Sequence, residues 1–386
     1  MGIRLGLLCT LADVHARKWA MALQQEGVEI YWYSPEPGIS PPGITLRIAP
    51  RSPHKSWRYI DFWRTAGWLK KKLKEDKISL VMALHLTPFG TWAWLSGFRP
   101  FWGFALGADI FEYTLKNPEV RTYSGKKSGL FFRTLWFRWM VSKVINSAEL
   151  ILPDNNILLQ ELIRWKPQSL SKLFLFTWGI ALSDWEPISL SQKINIRKEN
   201  GWPENKFLVI IPRGFSPVYQ TDKIIQAIMN IPPGKLSEVF WIISPGPYAS
   251  NPEQIENWRK LLPSNARILD KSYPPEKWNN ILKSMDALIS VPRYDGFSSL
   301  LAEGAQAGLF LICSNWQGYA ETKLNRAIIS KFTAEELIQI LKNWINSDEL
   351  IKRKLISENQ QIIQQSADLE KNTSLFIQHL KSIQNK

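Results

Sequence analysis

Short apolar runs alternate with stretches of helical length along nearly the whole chain. The first half carries the runs IRLGLLC, VEIYWYS, ITLRIA, SLVMAL, FWGFAL and ELILP, and the second half carries KFLVIIP, VFWIIS, ARIL, ALISV and LFLICS. Helical patterns separate most of these runs, as in residues 12–27 and 252–262. Such alternation is typical of a doubly wound parallel sheet, and it predicts an α/β fold.

The alternation stops once, at residues 178–192, where WGIALSDWEPISLSQ contains Gly and Pro and has no clean period. The chain of 386 residues is also longer than one hydrophobic core usually covers. We therefore predict an N-terminal Rossmann-like domain over 1–177, a linker over 178–192 and a C-terminal Rossmann-like domain over 193–364. Residues 365–386 are predicted to form a helix that packs back on the N-terminal domain.

Two doubly wound domains that face each other create a cleft at the carboxyl ends of their strands, where ligands bind in such folds. Candidate functional residues are therefore sought in the loops that follow strands. His85, Asp109 and Arg213 each come shortly after an apolar run. Simpler interpretations remain open, because His85 also suits a satisfied core histidine, Asp109 a helix cap and Arg213 a surface arginine.

Composition excludes several classes of protein. The only two cysteines, Cys9 and Cys313, lie far apart inside apolar runs, which rules out a disulfide framework and favours a reducing compartment. The four histidines have no metal-ligand spacing and no Asp-x-Asp motif occurs, so no metal site is expected. The N-terminal residues MGIRLGLLCT lack the layout of a signal peptide, so we expect a cytoplasmic location.

Residues 78–98 carry no Asp, Glu, Lys or Arg and are long enough to raise the question of a membrane helix. His85, Pro88 and Gly90 interrupt the stretch at its centre, where the strand SLVMAL would end and a new helix would begin. We therefore predict a strand followed by a helix in a soluble protein.

The chain is strongly basic and rich in tryptophan, with a formal net charge of +14 and 19 Trp residues. This balance suggests a polyanionic partner, which is a nucleic acid, an anionic membrane surface or a phosphate-bearing substrate. Residues 54–77 and 130–144 mix Trp, Phe and basic side chains at helical spacing, as helices at a membrane interface do. A buried apolar stripe with a solvated basic face explains the same pattern, and both interpretations remain open.

The stretch YDGFSSLLAEGAQAG, residues 294–308, follows the apolar run ALISV and opens a helical pattern. Ser298 and Ser299 are good helix N-caps, and Gly296 permits close backbone approach. The N–H groups and dipole at such a helix start suit a diphosphate. Glu303, about one turn into the helix, and Asp295, just before it, would accept hydrogen bonds from sugar hydroxyls. A capped helix with one carboxylate at its positive end is the simpler interpretation.

These residues resemble the E-x7-E motif of the retaining, nucleotide-sugar-dependent glycosyltransferases of family four, often written S-D-G-x-S-x-x-L-L-E-A-M-A-C-G. Asp295 stands at the first acidic position and Glu303 at the second. The likeness continues into LFLICSNWQGYAE, which is similar to L-P-V-V-V-S-D-V-G-G-N-R-E. Further segments from VHARKWAMALQQEG to IPRGFSPVYQTDKIIQAI match family patterns in order, so the resemblance covers nearly the whole chain.

The resemblance implies the GT-B fold, with the donor in the second domain and the acceptor in the first. Glu303 would hold the ribose, Asp295 the sugar hydroxyls, and Arg213 the diphosphate. The turn at residues 270–273 would lie near the nucleotide base, and His15 near the acceptor. The predicted donor-binding residues are Arg213, Tyr273, Asp295, Gly296, Phe297, Ser298, Ser299 and Glu303. The predicted catalytic residues are His85, Asp109, Arg213 and Asp295, and the predicted acceptor-side residues are His15 and Asp109.

Three positions depart from the family patterns. Val218 stands where many relatives place a phosphate-binding Lys, five residues after the Arg. Asp295 is one methylene shorter than the common Glu. Asn315 and Gln317 stand in the predicted donor loop at positions where Asp and Gly are frequent.

The sequence therefore predicts a retaining glycosyltransferase that moves a sugar from a UDP- or GDP-linked donor to a glycan or lipid-linked acceptor, in cell-surface polysaccharide synthesis. No cofactor or metal is expected, and the basic, Trp-rich first domain is predicted to contact the anionic cytoplasmic face of the membrane. One alternative is a degenerate GT-B protein that only binds a sugar, a nucleotide or a partner. Another is a basic nucleic-acid-binding protein, although no nucleic-acid motif is found and no such partner is expected.

Overall fold

A computed structural model describes residues 3–50, 58–114, 130–245, 252–270 and 273–384 of the protein. The chain divides into two compact units. Unit 1 consists of Met1–Trp178 together with Leu369–Lys386, and unit 2 consists of Gly179–Asp368.

Unit 1 contains a six-stranded parallel sheet in the order β3-β2-β1-β4-β5-β6. Its strands are β1 (Arg4–Leu8), β2 (Glu29–Ser34), β3 (Thr45–Ile48), β4 (Leu80–Leu84), β5 (Phe101–Ala105) and β6 (Leu150–Pro153). Its helices before residue 178 are α1 (Val14–Gln25), α2 (Arg58–Glu75), α3 (Thr91–Ser96), α4 (Ala108–Thr114), α5 (Leu130–Ser147) and α6 (Asn156–Trp165). Each strand lies within one of the apolar runs, so the sequence prediction of these strands is confirmed.

The charge-free stretch at residues 78–98 folds as predicted. It forms β4, a π-helical turn over Leu86–Gly90 and the short helix α3. Among the described helices, none is long and apolar enough to cross a bilayer.

Unit 2 contains a second six-stranded parallel sheet, in the order β12-β11-β10-β7-β8-β9. Its strands are β7 (Phe207–Ile211), β8 (Val239–Ile243), β9 (Ala266–Ile268), β10 (Ala287–Ser290), β11 (Phe310–Ser314) and β12 (Ala327–Ile329). The remaining helices are α7 (Leu190–Glu199), α8 (Thr221–Met229), α9 (Pro252–Leu261), α10 (Pro275–Lys283), α11 (Ser299–Gln306), α12 (Gln317–Ala320), α13 (Ala334–Ile345), α14 (Glu349–Ser366) and α15 (Leu369–Gln384).

Helix α7 and strand β12 of unit 2 were not predicted from the sequence. Helix α7 begins within the segment predicted as a linker, and a capping box between Ser189 and Gln192 fixes its start. Strand β12 is only three residues long, so its apolar run is too short to stand out.

Helix α15 contributes to the core of unit 1. Phe376 lies edge-on to Trp19 and Trp102, with ring centroids 5.3 Å and 5.7 Å apart. His379 stacks on Phe174 at 4.1 Å. Since Trp19 and Phe376 are fully buried, these aromatic contacts join α1 and α15 into one hydrophobic core.

A buried carboxylate links strands β2 and β3 of unit 1 to the end of α2. Asp76 pairs with Arg47 at 2.6 Å and accepts a hydrogen bond from the Tyr33 hydroxyl at 2.8 Å. Burial by itself raises the pKa of Asp76, but the hydrogen bonds from Arg47 and Tyr33 outweigh it and hold that pKa below its usual value. The ionised form of Asp76 therefore stabilises the folded state.

The replacement Asp76→Asn is expected to lower the free energy of unfolding of unit 1 by about 2 kcal/mol at pH 7. A carboxyl whose pKa is lower in the folded state stabilises the protein above its unfolded pKa, near 3.9, and this contribution is lost as pH falls through the folded pKa. Urea unfolding at pH 7 and below pH 4 measures the effect, and the difference between wild type and Asp76→Asn should shrink in acid.

Glu29→Gln is the matched control, because Glu29 also accepts hydrogen bonds from an arginine and a tyrosine, Arg4 and Tyr31. The Glu29 side chain is 51% exposed, so its loss should cost under about 1 kcal/mol. Equal losses in the two variants, or a difference that does not depend on pH, would contradict the assignment.

Helix α11 starts immediately after the loop that follows β10, and it packs closely on the sheet of unit 2. A Cβ atom at Gly304 would lie 3.1 Å from Leu288 of β10 and 3.3 Å from Leu311 of β11. Glycine therefore permits the close approach of this helix to both strands. The approach fixes the amino end of α11 relative to the carboxyl ends of β10 and β11.

Candidate donor-binding site

Three strand ends of unit 2 bring the predicted donor-binding residues together. Strand β10 lies between β7 and β11 in the sheet, and all three run parallel. Arg213 follows β7, Asp295 follows β10, and Asn315 follows β11. Because the carboxyl ends of parallel strands share one edge of the sheet, these loops form a common surface.

Arg213, Asp295 and Ser298 form a compact polar cluster at this edge. The Arg213 guanidinium donates through Nη2 to Asp295 Oδ2 at 2.5 Å and to Ser298 Oγ at 3.0 Å. The side chains of Arg213 and Asp295 are each 17% exposed. The guanidinium also lies over the Tyr219 ring, 4.8 Å from its centroid. The structure therefore joins Arg213, which is predicted to bind the diphosphate, and Asp295, which is predicted to bind the sugar, in an ion pair.

The surroundings of Arg213 keep it charged. Burial by itself lowers the pKa of Arg213. The neighbouring Asp295 carboxylate and the hydroxyls of Tyr319 and Tyr219 raise it by more than burial lowers it, so the pKa lies above its usual value. Its Nε atom is buried and has no hydrogen-bond partner in the described part of the chain. A buried guanidinium donor of this kind suits an anionic ligand, which accepts hydrogen bonds without giving any.

The turn before α11 places the predicted serines at the amino end of that helix. The Gly296 N–H points at Asp295 Oδ1, at 3.1 Å, and Ser298 caps the helix by accepting from the Leu301 N–H. Ser298 and Ser299 are each 5% exposed, and Glu303, one turn into the helix, is 7% exposed. The predicted serines and second acid thus lie at the amino end of α11, where the helix dipole favours negative charge.

Two other residues predicted at the donor site are aromatic and belong to unit 2. Phe297 and Tyr273 are partly buried and pack against the hydrophobic core of unit 2. Lys277 lies over the Tyr273 ring, 5.3 Å from its centroid. Residues 271–272 of the turn predicted to lie near the base fall outside the described residues.

The structure also shows the surroundings of two residues that depart from the family patterns, Val218 and Asn315. The Val218 carbonyl accepts a hydrogen bond from the Arg293 N–H at 2.8 Å, so this loop is joined to the loop after β10. Asn315 is exposed at the end of β11.

One residue of the cluster was missed by the sequence analysis. The Tyr319 hydroxyl donates to Asp295 Oδ2 at 2.8 Å and lies 3.3 Å from Ser290 Oγ. Tyr319 is 1% exposed, and burial followed by the charge of Asp295 raises its pKa well above the usual value, so it stays protonated. No local pattern marks it, because the contact spans 24 residues of sequence.

The residues predicted at the acceptor side belong to unit 1. Asp109 is 4% exposed, and its two carboxylate oxygens accept from the N–H groups of Leu86, at 2.8 Å, and Leu106, at 3.1 Å. Burial raises the pKa of Asp109, while the charge of His85 and these N–H groups oppose the rise. Asp109 therefore joins the loops after β4 and β5, and its predicted catalytic role remains a prediction.

His85 has an unusual backbone conformation. It is half-buried at the end of β4, with φ 81° and ψ 132°, a region that non-glycine residues rarely adopt. Such strain costs about 1–3 kcal/mol and is often found at functional sites. His15, by contrast, is exposed in the first turn of α1, after the Asp13 cap.

We expect His85→Gly to keep or raise the melting temperature of the protein while lowering its turnover about 100-fold. Glycine adopts this backbone without strain, whereas loss of a side chain that positions the acceptor can lower a rate about 10²-fold. Calorimetry and initial rates measure the two effects separately. Lys77→Gly is the control, because Lys77 also has a positive φ, of 51°, but is exposed after α2. Unchanged turnover in His85→Gly would remove His85 from the predicted catalytic residues.

Comparison with known proteins gives a family match within unit 2. Residues 192–362 match the family model described as glycosyl transferases group 1. Unit 2 thus carries a glycosyl transferases group 1 domain, and the prediction of a glycosyltransferase is confirmed at the level of this domain. No curated protein sequence matches the chain.

Several solved structures share the fold over their full length. Sucrose-phosphate synthase from Thermosynechococcus elongatus superposes with a TM-score of 0.79 at 13% identity, over 99% of each chain. Anabaena HepE in complex with UDP-glucose superposes with a TM-score of 0.75 at 14% identity, over 98% of this chain and 100% of its own. WaaG, a glycosyltransferase of lipopolysaccharide biosynthesis, gives a TM-score of 0.71 at 16% identity, over 96% and 97%.

These similarities concern the fold, since all three identities are low. Two six-stranded parallel sheets with helices, matching glycosyltransferase structures along the whole chain, confirm the predicted α/β fold class of the GT-B type. In unit 2 itself, the cluster of Arg213, Asp295 and Ser298 lies at the carboxyl edge of the parallel sheet, the edge at which doubly wound sheets in general bind ligands.

Proposed function

We propose that the protein is a retaining glycosyltransferase that moves a sugar from a nucleotide diphosphate donor to a hydroxyl of a glycan or lipid-linked glycan, in cell-surface polysaccharide synthesis. The observation that carries the proposal is the buried cluster of Arg213, Asp295 and Ser298 at the start of α11. It combines a cation, helix N–H groups and a carboxylate within a glycosyl transferases group 1 domain. This set suits the two halves of such a donor, diphosphate and sugar.

In the proposed reaction, the bond between the anomeric carbon and the diphosphate oxygen breaks. The acceptor oxygen bonds to the same face of that carbon, and the acceptor proton passes to the leaving phosphate oxygen. Arg213 and the N–H groups at the start of α11 stabilise the charge that builds on the leaving group. Glu303 holds the ribose hydroxyls, and Asp295 orients the sugar. His15, His85 and Asp109 act on the acceptor side.

We further propose that transfer needs no metal ion. Arg213 can supply the positive charge at the diphosphate, and among the described residues no group of three or more His, Cys, Asp or Glu side chains could hold a metal. Turnover measured before and after treatment with EDTA tests this point. Loss of activity that Mg²⁺ or Mn²⁺ restores would contradict it.

A thermal-shift screen tests the donor proposal. The probes are UDP, UDP-glucose, GDP and GDP-mannose, and UDP-glucose comes first because it is bound in the HepE structure. Binding to the folded state should raise the melting temperature in proportion to ligand concentration. Glu303→Gln should weaken the response, because it removes the charged acceptor for ribose. If no nucleotide shifts the melting temperature, the proposal is wrong.

The same assays distinguish the alternative functions. Tight UDP binding without turnover of any donor would favour a degenerate binder. Binding of random oligonucleotides with a steep salt dependence, without nucleotide-sugar binding, would favour a nucleic-acid-binding protein.

We also propose that α5 docks unit 1 on an anionic membrane surface from the cytoplasmic side. Helix α5 contains no acidic residue, and it buries Met140, Val141 and Val144 while its Trp136 and Trp139 are 41% and 45% exposed. The two indoles stack at 5.1 Å, and Lys143 lies 5.8 Å from the Trp139 ring. The buried face of α5 fits the apolar-stripe interpretation, and the exposed indoles on its other face support the proposal. Exposed indoles beside basic side chains suit the headgroup region of an anionic bilayer.

Flotation with liposomes tests this docking. Wild type should float with vesicles that contain phosphatidylglycerol and much less with vesicles of phosphatidylcholine alone. The double replacement of Trp136 and Trp139 by Ser should reduce flotation at least fivefold. Leu350→Ser is the control, since Leu350 is 74% exposed on α14 of unit 2. Equal flotation with both vesicle types would exclude an anionic docking surface.

A further inference from the structure

Tyr319 lies in the short helix α12, where the aligned family pattern quoted above has an asparagine. Its ring is buried in the hydrophobic core of unit 2, and only its hydroxyl reaches the polar cluster. We propose that Tyr319 is a positioning residue that holds the Asp295 carboxylate in the orientation needed to bind the donor sugar. This inference rests on the proposed function and adds to it a residue that controls how the donor sugar is bound.

The hydrogen bonds around Asp295 fix the orientation of its carboxylate. Oδ2 accepts from both Arg213, at 2.5 Å, and Tyr319, at 2.8 Å, while Oδ1 faces the Gly296 N–H at 3.1 Å. An ionised carboxylate can only accept, so the single Tyr319 proton must point toward Asp295. Ser290 Oγ, 3.3 Å from the Tyr319 oxygen, is then the donor of that second contact. A directed chain of hydrogen bonds therefore runs from the end of β10 to Asp295.

The position of Tyr319 also accounts for the shorter acid at residue 295. The phenol brings a donor from the core to within 2.8 Å of an aspartate carboxylate. A glutamate at residue 295 would extend one methylene further, toward a hydroxyl that burial prevents from moving aside. The short acid at residue 295 and the long phenol at residue 319 therefore fit each other. Each partner should then tolerate replacement poorly unless the other changes with it.

Affinities for sugar-bearing and sugar-free nucleotides separate positioning from a general structural role. Isothermal titration calorimetry is carried out with UDP-glucose and UDP, and in parallel with GDP-mannose and GDP. In Tyr319→Phe, the affinity for the nucleotide sugar should fall about tenfold, because the carboxylate that meets the sugar loses its fixed orientation. The affinity for the sugar-free nucleotide should stay within about twofold, because Arg213 and the α11 N–H groups remain.

Tyr33→Phe is a matched control. Tyr33 of unit 1 is also fully buried, and its hydroxyl also donates to an aspartate, Asp76, at 2.8 Å. This variant loses a comparable hydrogen bond away from the cluster and should change neither nucleotide affinity. Equal losses for sugar-bearing and sugar-free nucleotides in Tyr319→Phe, or no loss at all, would overturn the positioning role.

The exchange of the pair is a second test. Asp295→Glu should bind the nucleotide sugar more weakly than wild type. In the double variant Asp295→Glu with Tyr319→Asn, the logarithm of the dissociation constant should return at least halfway to the wild-type value. Additive losses would overturn the argument from side-chain length.

Ligand-free crystal structures of wild type and of both variants test whether Tyr319 orients Asp295, whatever the protein binds. The Asp295 carboxylate should rotate in Tyr319→Phe and keep its orientation in Tyr33→Phe. If wild type binds none of the four nucleotides, the proposed function fails, while these structures still decide whether Tyr319 orients Asp295. An unchanged Asp295 in Tyr319→Phe would contradict the inference even if the nucleotides bind.

Discussion

Replacing Arg213 by methionine is expected to lower kcat/KM about 10²–10³-fold. The Arg213 guanidinium is the cation proposed to meet the diphosphate, and removal of one preorganised donor to a developing anion typically has this effect. The loss should be seen in kcat as well as in KM, because the charge on the leaving group is greatest in the transition state. Initial rates at varied donor concentration measure both.

The controls for this prediction separate charge, geometry and folding. Arg213→Lys keeps the charge but loses the planar fork that contacts both Asp295 and Ser298, so its activity should lie between wild type and Arg213→Met. Arg353→Met removes an exposed arginine on α14 of unit 2, and it should leave turnover unchanged. Turnover of Arg213→Met near the wild-type level would exclude Arg213 from the reaction.

Replacing Arg197 by methionine is expected to lower the free energy of unfolding of unit 2 by about 3–5 kcal/mol. Arg197 is 4% exposed and pairs with Asp286 at 2.8 Å. It also donates to the carbonyls of Ser284, Glu204 and Lys206, so it ties α7 to the segments before β10 and β7. Methionine leaves these carbonyls without their charged donor and leaves Asp286 with only the more distant cation of Lys193, at 3.7 Å. Breaking a buried pair from one side has a cost of this size.

Lys198→Met is the matched control for Arg197, because the neighbouring side chain on α7 is exposed. It should change the free energy of unfolding by less than about 0.5 kcal/mol. Denaturant unfolding followed by far-UV circular dichroism measures both variants. A loss under about 1 kcal/mol in Arg197→Met would show that the other contacts of α7 hold it in place.

The sequence predicts most of the sheet architecture of both units, because buried parallel strands are short continuous apolar runs. All of the first eleven strands coincide with such runs, from β1 to β11. Helix α7 was missed because its residues LSQKINIRKE are mostly polar and have no apolar period. The Ser189 and Gln192 spacing was a local pattern that marks its start, and Arg197 is what the helix contributes to the core.

The candidate site was predicted in part, for a physical reason. Asp295, Ser298 and Glu303 lie within one strand-to-helix turn, so their local order already indicates an anion site. The contacts of Asp295 with Arg213 and Tyr319 join positions 82 and 24 residues apart in the sequence. Only the parallel order of β7, β10 and β11 brings these positions together. The exposure of Trp136 and Trp139 could not be predicted, because it depends on which face of α5 packs inward and composition does not determine that face.

The contribution of α15 to the core of unit 1 has a consequence for biogenesis. Phe376 and His379 pack against aromatic side chains near residues 19, 102 and 174, yet the ribosome makes them only after all of unit 2. Unit 1 therefore cannot complete its aromatic core until these late residues have been made, and the side chains that they cover stay exposed until then. A nascent chain stalled before residue 369 should accordingly recruit chaperones through its N-terminal half.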